Sequence, residues 1–314
     1  MTGGDIYFYD LNFNLLRILP STRYKSIIAQ QDFCGTGSLD IIFFDSETGD
    51  ILEDNIDNGI LVIWRKFQGI LTSFLRDDDE YRAVGEHLNG MVRRLTSNVC
   101  NFTDTAIVSA MTSGLPHRTW LSVYESTTIQ KKLTYNFEKR LKGDEFMKTA
   151  LEAVDGGYEI IADFKSQLPL PYTLKCIGHS QNDLVLSKNN LNVSSLSITC
   201  NNKNVVNGGW YLNDSDKKWY HLPDSSKYLN VTDRDTVLSA TNSTDAKAEL
   251  AKLRQKYEIT LTTKNLDYGT DYKIGDIVRL QDRGKTFKMV INSVKMWEEN
   301  GYGEEPTVTK YEEE

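Results

Sequence analysis

Short apolar runs separated by turn residues dominate the first hundred residues, and this pattern predicts β-strands. Asp5–Tyr9 and Leu15–Leu19 flank a turn that contains Asp10 and Asn12, residue types that favour tight turns. Further runs of the same character are Ser38–Phe44, Gly59–Trp64, Gly69–Phe74 and Tyr81–Glu86. Five or six short strands in succession favour a small β-barrel or a sandwich.

Three stretches have the helical spacing of apolar residues instead. An amphipathic helix is predicted over 87–96, with a stripe of apolar residues at offsets of 3, 4 and 7: Leu88, Met91, Val92 and Leu95. A second predicted helix begins at Asp144 and stops at Gly156-Gly157. A third is predicted over Thr244–Tyr257, with Asp245 assisting its cap.

The remainder of the chain returns to strand-like runs. They are Trp120–Tyr124, Tyr158–Phe164, Tyr172–Ile177, Asp183–Leu186, Val193–Cys200, Glu258–Thr263, Ile277–Asp282 and Thr286–Met296. Residues 201–235 are polar but contain the pairs Trp210-Tyr211 and Trp219-Tyr220. These pairs predict a hairpin that turns at Asn213–Asp216.

These changes of pattern predict a β-rich α+β protein with two small β-barrel-like domains and mixed α+β insertions. The expected segments are an N-terminal β-barrel-like domain at 1–98, a mixed α+β insert at 99–166, a split second β-barrel-like domain at 167–205 and 258–314, and an insertion with the aromatic hairpin and a helix at 206–257. A length of 314 residues is consistent with two or three domains.

The charge balance argues against two classes of partner. Lys and Arg number 36 against 44 Asp and Glu, a net charge of −8, whereas binding to nucleic acid or to an anionic membrane through bulk charge needs a basic surplus. No apolar run approaches the roughly 20 residues of a membrane span, and the first residues do not have the pattern of a secretory signal.

The acidic surplus is concentrated at one end of the chain. Seven acids and one base lie between Glu298 and Glu314, so this end carries six of the eight net negative charges. We expect a flexible acidic tail that solvates the protein or docks a partner, and whose removal at 304–314 leaves the oligomer intact. Because the rest of the chain is close to neutral, basic patches such as Arg93-Arg94 are expected to be solvated faces or subunit contacts.

Residues able to carry chemistry are scattered. No zinc-binding, nucleophile-elbow, phosphate-loop or dinucleotide motif is present. The histidines occur singly: His87, His117, His179 and His221. The cysteines form no CxxC pair, and their disulfide state is left open: Cys34, Cys100, Cys176 and Cys200. We therefore expect no catalytic, cofactor-binding or metal-binding residues and no enzymatic activity.

One cluster of residues suggests a contact surface. The hairpin aromatics are Trp210, Tyr211, Trp219 and Tyr220. Exposed aromatic rings can anchor a partner protein or stack on sugar rings, and they can equally pack against their own domain. The sequence leaves all three readings open, and partner contact is the candidate site role.

Several motifs occur in order along the chain. The N-terminal run IYFYD ends at Asp10, a hairpin carries Gly69-Ile70, and a strand-to-helix join reads Val84-Gly85-Glu86-His87-Leu88. Near the C-terminus the chain reads Gly275-Asp276-Ile277-Val278. In this order the motifs resemble those of the siphophage tail-hub family, which is related to the late-control-protein-D type of baseplate hub and has a G-D-x-V near its C-terminus. The resemblance covers nearly the whole chain.

The resemblance implies a structural protein of a phage or prophage tail, or of a phage-tail-like particle. Its expected role is a baseplate or tail hub, a homotrimeric ring that joins the tail tube or distal tail protein to the tip or spike protein. The chain would be made in the bacterial host cytoplasm and reside in the virion tail, without membrane or sequence-specific nucleic-acid partners. The alternative is a carbohydrate- or cell-surface-binding β protein that uses the hairpin, and a glycan hydrolase ranks below it.

Overall fold

The computed structural model describes residues 4–116, 120–127, 129–162, 164, 171–200, 206–223, 234–253 and 257–311. The chain forms two compact units. Unit 1 consists of Met1–Ser194 together with Thr262–Glu314, and unit 2 is Ser195–Leu261. The four-segment division drawn from the sequence stays a prediction. No helix in the described ranges is long and apolar enough to cross a membrane.

Strands predominate among the described elements. In chain order they are β1 Ile6–Asp10, β2 Leu15–Leu19, β3 Tyr24–Asp32, β4 Ser38–Phe43, β5 Ile60–Trp64, β6 Phe67–Asp77, β7 Glu80–His87, β8 Cys100–Thr105, β9 Leu121–Thr127, β10 Leu133–Phe137, β11 Gly157–Ala162, β12 Tyr172–Ile177, β13 Ser180–Leu186, β14 Val193–Cys200, β15 Gly208–Asn213, β16 Lys218–Leu222, β17 Asp235–Val237, β18 Tyr257–Thr263, β19 Asp276–Asp282, β20 Lys285–Glu298 and β21 Tyr302–Lys310. The α-helices are α1 Ser46–Asn55, α2 Ile107–Gly114, α3 Gly143–Glu152 and α4 Ser243–Leu253.

Both ends of the chain contribute to one large sheet in unit 1. Within the described residues it has eleven strands in the order β13-β19-β20-β3-β4-β7-β6-β5-β1-β2, with β21 also paired to β20. Strand β20 is the junction, because Val294–Glu298 pairs with Ile27–Gln31 of β3 while its earlier residues pair with β19. Strand β5 is buried along its whole length, which explains its unbroken apolar sequence.

The predicted helix over 87–96 is wrong. Strand β7 continues to His87, and Leu88–Arg94 forms a 3-10 helix. The apolar stripe still faces the core, since Leu88, Met91 and Val92 are buried. A spacing of three residues between Leu88 and Met91 fits the 3-10 repeat as well as the α-helical one, so the stripe alone did not decide between them.

The C-terminal acidic segment is not a flexible tail over the part that the structure describes. Residues Tyr302–Lys310 form β21, which pairs antiparallel with β20 from Glu298↔Tyr302 to Met289↔Lys310. Pro306 and Val308 face the core, and the alternation of strand side chains turns the intervening residues outward. The expectation of a solvating end was wrong because burial of these two apolar side chains stabilises the strand by more than repulsion among the neighbouring acidic residues destabilises it. Residues 312–314 lie outside the described residues.

A second core lies beside the large sheet and contains the helices of residues 100–176. Strand β8 pairs with β10, and β11 pairs with β12, which is parallel to β9. Helices α2 and α3 meet at Gly114, where an added Cβ would come within 2.1 Å of the Phe146 ring. The predicted second helix is confirmed as α3, and Asp155 (φ 55°) with Gly156 ends it, the Gly156 N–H donating to the Leu151 carbonyl.

Two side-chain amides, one from the 3-10 helix Leu88–Arg94 and one from β6, cover the open edge of β11. Asn89 accepts from the Ile160 N–H at 2.8 Å and donates to the Tyr158 carbonyl at 3.0 Å. Gln68 pairs in the same way with both backbone groups of Ala162. These amides satisfy backbone groups that an edge strand would otherwise leave unpaired, and so they fix the second core against the sheet.

Unit 2 is built on a small three-stranded sheet with α4 packed on one face. The strand order is β16-β15-β17, and the core consists of Tyr211, Leu238, Ala246 and Leu250. Helix α4 starts near the predicted position, with the Asn242 side chain accepting from the Asp245 N–H at 2.9 Å. Its predicted end at Tyr257 was wrong, because Tyr257 already belongs to β18.

Candidate functional site

The predicted aromatic hairpin is present, and its register separates the four aromatic residues into two pairs. Strands β15 and β16 pair antiparallel, with Trp210 opposite His221, Tyr211 opposite Tyr220 and Leu212 opposite Trp219. Opposed residues share a face, and neighbouring residues alternate between faces. Trp210 and Trp219 therefore lie on one face of the sheet, and Tyr211 and Tyr220 on the other.

The two faces have different environments. Tyr211 is only 5% exposed and packs with the α4 residues Ala246 and Leu250. Tyr220 stacks on Tyr211 with ring centroids 5.8 Å apart and remains 41% exposed. On the opposite face, Trp210 is 38% and Trp219 54% exposed. The structure thus gives Tyr211 a core role and leaves the two indoles available to solvent.

Strand β17 adds residues to the tryptophan face that the sequence did not single out. Asp235 accepts a hydrogen bond from Trp210 Nε1 at 3.2 Å, and its other oxygen lies 3.0 Å from His221 Nε2. The His221 ring is also 4.8 Å from the Trp210 ring. Val237 lies opposite Trp210 in the parallel β15–β17 pair and is strongly exposed. The aromatic pattern alone could not reveal Asp235, which reaches the hairpin only through strand pairing.

A cleft of 880 Å³ in unit 1 is lined in part by the largely buried side chain of His179. Its lining includes Phe33, Asp155, His179 and Tyr311. His179 Nδ1 donates to the Gly275 carbonyl at 2.9 Å, and Nε2 lies 3.2 Å from the Asp155 carboxylate. The ring stacks on Phe33 at 4.7 Å. The histidine looked isolated in the sequence because Gly275 and Asp155 are 96 and 24 residues away from it along the chain.

The charge states in this cleft follow from those contacts. Burial lowers the pKa of His179, but the hydrogen bonds from its ring to Asp155 and Gly275 outweigh burial, so the pKa is raised. The same hydrogen bond to His179 lowers the pKa of the Asp155 carboxyl. At mildly acidic pH, His179 is therefore protonated and Asp155 is ionised, and the two side chains form an ion pair.

Comparison with solved structures links this arrangement of strands to known proteins. The chain matches a tail protein from Neisseria meningitidis MC58 with a TM-score of 0.63 and 13% identity, covering 98% of this chain and 97% of the other. It matches the 43 kDa tail protein of prophage MuSo2 from Shewanella oneidensis with a TM-score of 0.64 and 11% identity, covering 97% and 98%. The fold is that of phage tail proteins.

A third match extends the same likeness. The prophage tail protein gp18 from Listeria monocytogenes EGD-e aligns with a TM-score of 0.60 and 13% identity, covering 97% of this chain and 94% of the other. No protein-family model and no curated protein sequence matches the chain. The predicted fold class, β-rich α+β and similar to tail proteins, is confirmed. Identity this low concerns the fold and leaves function to be argued separately.

The remaining histidines have separate surroundings within this tail-protein fold. His87 is buried, and its Nδ1 accepts from the Asn89 N–H at 3.2 Å. Burial lowers the pKa of His87 to about 4, so the ring is neutral at neutral pH. His117 lies outside the described residues. Within the described ranges, no group of three or more His, Cys, Asp or Glu is placed to hold a metal ion.

Among the cysteines whose side chains are described, Cys34 and Cys100 are free thiols. Cys176 is buried, and Cys34 and Cys100 are half-buried. Burial raises the pKa of Cys34 to about 12, so its thiolate is scarce at neutral pH and its nucleophilicity is low. The side chain of Cys200 lies outside the described residues.

Proposed function

We propose that this chain is a structural protein of a phage or prophage tail, or of a phage-tail-like particle, and that it serves as the hub of the baseplate. In this role it forms a homotrimeric ring that joins the tail tube to the tail tip. The observation that carries the proposal is the likeness to tail proteins over 97–98% of this chain, which includes both compact units. The proposed role is structural rather than enzymatic.

An apolar patch on the large sheet supports self-association. Ile28, Phe44 and Leu75 are 39%, 55% and 58% exposed. Ile28 and Leu75 share the outer face, because Ile28 pairs with Asp40, Leu75 pairs with Arg82, and Arg82 pairs with Ile42, two residues after Asp40 in β4. Phe44 directly follows this strand. Apolar side chains gathered on one sheet face favour burial against another chain. A stable trimer needs well over about 1,000 Å² of buried surface at each contact.

Light scattering coupled to size-exclusion chromatography tests the proposed assembly. We expect the full chain to elute with the mass of three chains, and to co-purify with a tail-tube protein encoded in the same gene cluster. The double variant Phe44→Asp plus Leu75→Asp should shift the protein to monomer while retaining its circular dichroism spectrum. The matched control is Leu191→Asp, which changes another exposed apolar residue of unit 1 and should remain trimeric.

Two results would count against the hub. One is a wild-type chain that is monomeric at all concentrations and does not associate with the tube protein. The other is a trimer that is equally sensitive to all the substitutions, since that outcome would assign the effect to misfolding rather than to the apolar patch.

A further inference from the structure

The tryptophan face of unit 2 combines two flat apolar rings with charged hydrogen-bonding groups. Trp210 and Trp219 occupy diagonal positions on neighbouring strands, since Trp210 opposes His221 and Trp219 is two residues before it. Diagonal neighbours in a sheet lie about 7–8 Å apart, within reach of one another's aromatic side chains. The two indoles can therefore form one continuous stacking surface.

The Trp210 ring is oriented before any ligand arrives. Its Nε1–H donates to Asp235, and the imidazole of His221 lies against the ring and reaches the other carboxylate oxygen. A ring held in place loses less conformational entropy on binding than a free one. The Asp235 carboxylate is 40% exposed, and a carboxylate has more lone-pair sites than these two contacts use, so it can accept further hydrogen bonds.

The size of the face favours a small ligand over a protein. The strands β15, β16 and β17 have 6, 5 and 3 residues. At about 3.3 Å per residue and about 4.8 Å between strands, the face measures at most roughly 20 by 10 Å, or about 200 Å², and the His221 side chain on it is only 3% exposed. A stable protein partner needs about 800 Å² on each side. An area of this size instead accommodates two or three linked sugar rings.

The chemistry of the face matches a saccharide. A pyranose ring has a side of C–H bonds, whose hydrogens are attracted to the electron-rich face of an indole, and a rim of hydroxyl groups that donate to carboxylates. We propose that the solvent face of β15–β17 is a saccharide-binding site in which Trp210 and Trp219 stack on sugar rings and Asp235 accepts from a hydroxyl. This proposal is independent of the hub role.

A glycan array of microbial oligosaccharides, probed with the full-length protein, tests the proposal. We expect binding to at least one oligosaccharide, and quenching of tryptophan fluorescence when that oligosaccharide is titrated. Trp219→Ala and Trp210→Ala should each weaken binding about tenfold or more, since each removes a stacking ring. Asp235→Asn should weaken it less, and Trp219→Phe, which keeps a ring, should retain part of the affinity.

The adjacent residue provides the matched control. Tyr220 is as exposed as Trp210 but lies on the opposite face of the same hairpin, so Tyr220→Ala should bind like the wild type. The absence of binding to any oligosaccharide on the array at millimolar concentration would overturn the proposal. Equal losses in Tyr220→Ala and Trp219→Ala would also overturn it, as would undiminished binding by both tryptophan variants.

Discussion

At the scale of single residues, two histidines of unit 1 are shifted in opposite directions by their surroundings. His87 is enclosed by the fold, and burial lowers its pKa to about 4. His179 is also largely enclosed, but Asp155 and the Gly275 carbonyl accept hydrogen bonds from its two ring nitrogens, and its pKa is raised. A buried imidazole thus gains or loses its proton according to the acceptors that contact it.

The His179–Asp155 pair predicts a pH-dependent stability. A raised histidine pKa adds stability that is fully present below the ordinary value of 6.5 and is lost as the pH rises through the value in the folded state. The lowered pKa of Asp155 adds stability above its ordinary 3.8, which is lost as the pH falls through the lowered value. The pair therefore stabilises most between about pH 4 and 6.5. The positive charge of Lys131 and a hydrogen bond from the Tyr311 side chain also lower the pKa of the Asp155 carboxyl.

Asp155→Asn tests this dependence without disturbing the turn. Residue 155 has φ of 55°, a conformation that asparagine tolerates. We expect the substitution to lower the melting temperature by a few degrees at pH 5.5, and less at pH 8.5, because His179 loses its proton as the pH rises through its raised pKa. Thermal unfolding followed by circular dichroism at both values measures it. An equal loss at both pH values would refute an ionic contribution.

At the scale of elements, the C-terminal strand is expected to be necessary for the large sheet. Removing 304–314 would leave one edge of β20 without the partners it has in β21 and would remove the buried Val308. We predict a large fall in melting temperature or soluble yield, measured by thermal unfolding and by the fraction of protein in the supernatant.

A shorter truncation is the control for that experiment. Deleting only 312–314 removes three glutamates but none of β21, and it should leave the melting temperature unchanged. If the longer truncation were as stable as the full chain, the pairing of β21 with β20 would contribute little to the fold.

Elements were predictable from the sequence where burial follows a simple period. Strand β12 was predicted with its observed bounds because its apolar residues form one compact run. Helix α1 was not predicted, because Leu52 is its only large buried apolar residue and its contact with β7 is made by Gly49 against the Tyr81 ring. Strand β8 was missed for the same reason, since Phe102 alone is buried within it.

The candidate site was predictable in part. Alternation along β15 and β16 separates the indoles from the tyrosines, and this split can be derived from the hairpin sequence alone. Which face is open could not be derived, because it depends on α4 packing against Tyr211. The contribution of Asp235 depends on parallel pairing of β17 with β15, a long-range contact that leaves no periodic signal.

At the scale of the whole molecule, the two units have separate cores and closely spaced junctions. Along the chain, unit 2 is inserted between Ser194 and Thr262 of unit 1. The Ser194 hydroxyl donates to the Thr262 carbonyl at 3.1 Å, so a short linker can join them. The core of unit 2 is formed from its own residues, Tyr211, Leu238, Ala246 and Leu250.

Replacing 195–261 with a short Gly-Ser linker should therefore give a folded unit 1. We expect a single cooperative thermal transition close to that of the full chain, together with loss of the tryptophan face. Differential scanning calorimetry measures the transition, and the full-length chain is the reference. Aggregation of the linked protein, or a transition with a much smaller enthalpy per residue, would contradict the independence of unit 1.

Of the two amides that cover the edge of β11, Asn89 is open to chemical change whenever the chain is unfolded. Asn89 is followed by Gly90, and an asparagine before glycine is readily attacked by the next backbone nitrogen, with loss of ammonia. In the native fold Asn89 is fully buried and held by Gly35, Tyr158 and Ile160, so the attack is blocked. In a chain left unfolded, water would open the resulting cyclic imide to aspartate or isoaspartate, and the new carboxylate would face two carbonyl oxygens to which it cannot donate. Each long period of unfolding would thus convert part of the population into chains that can no longer refold.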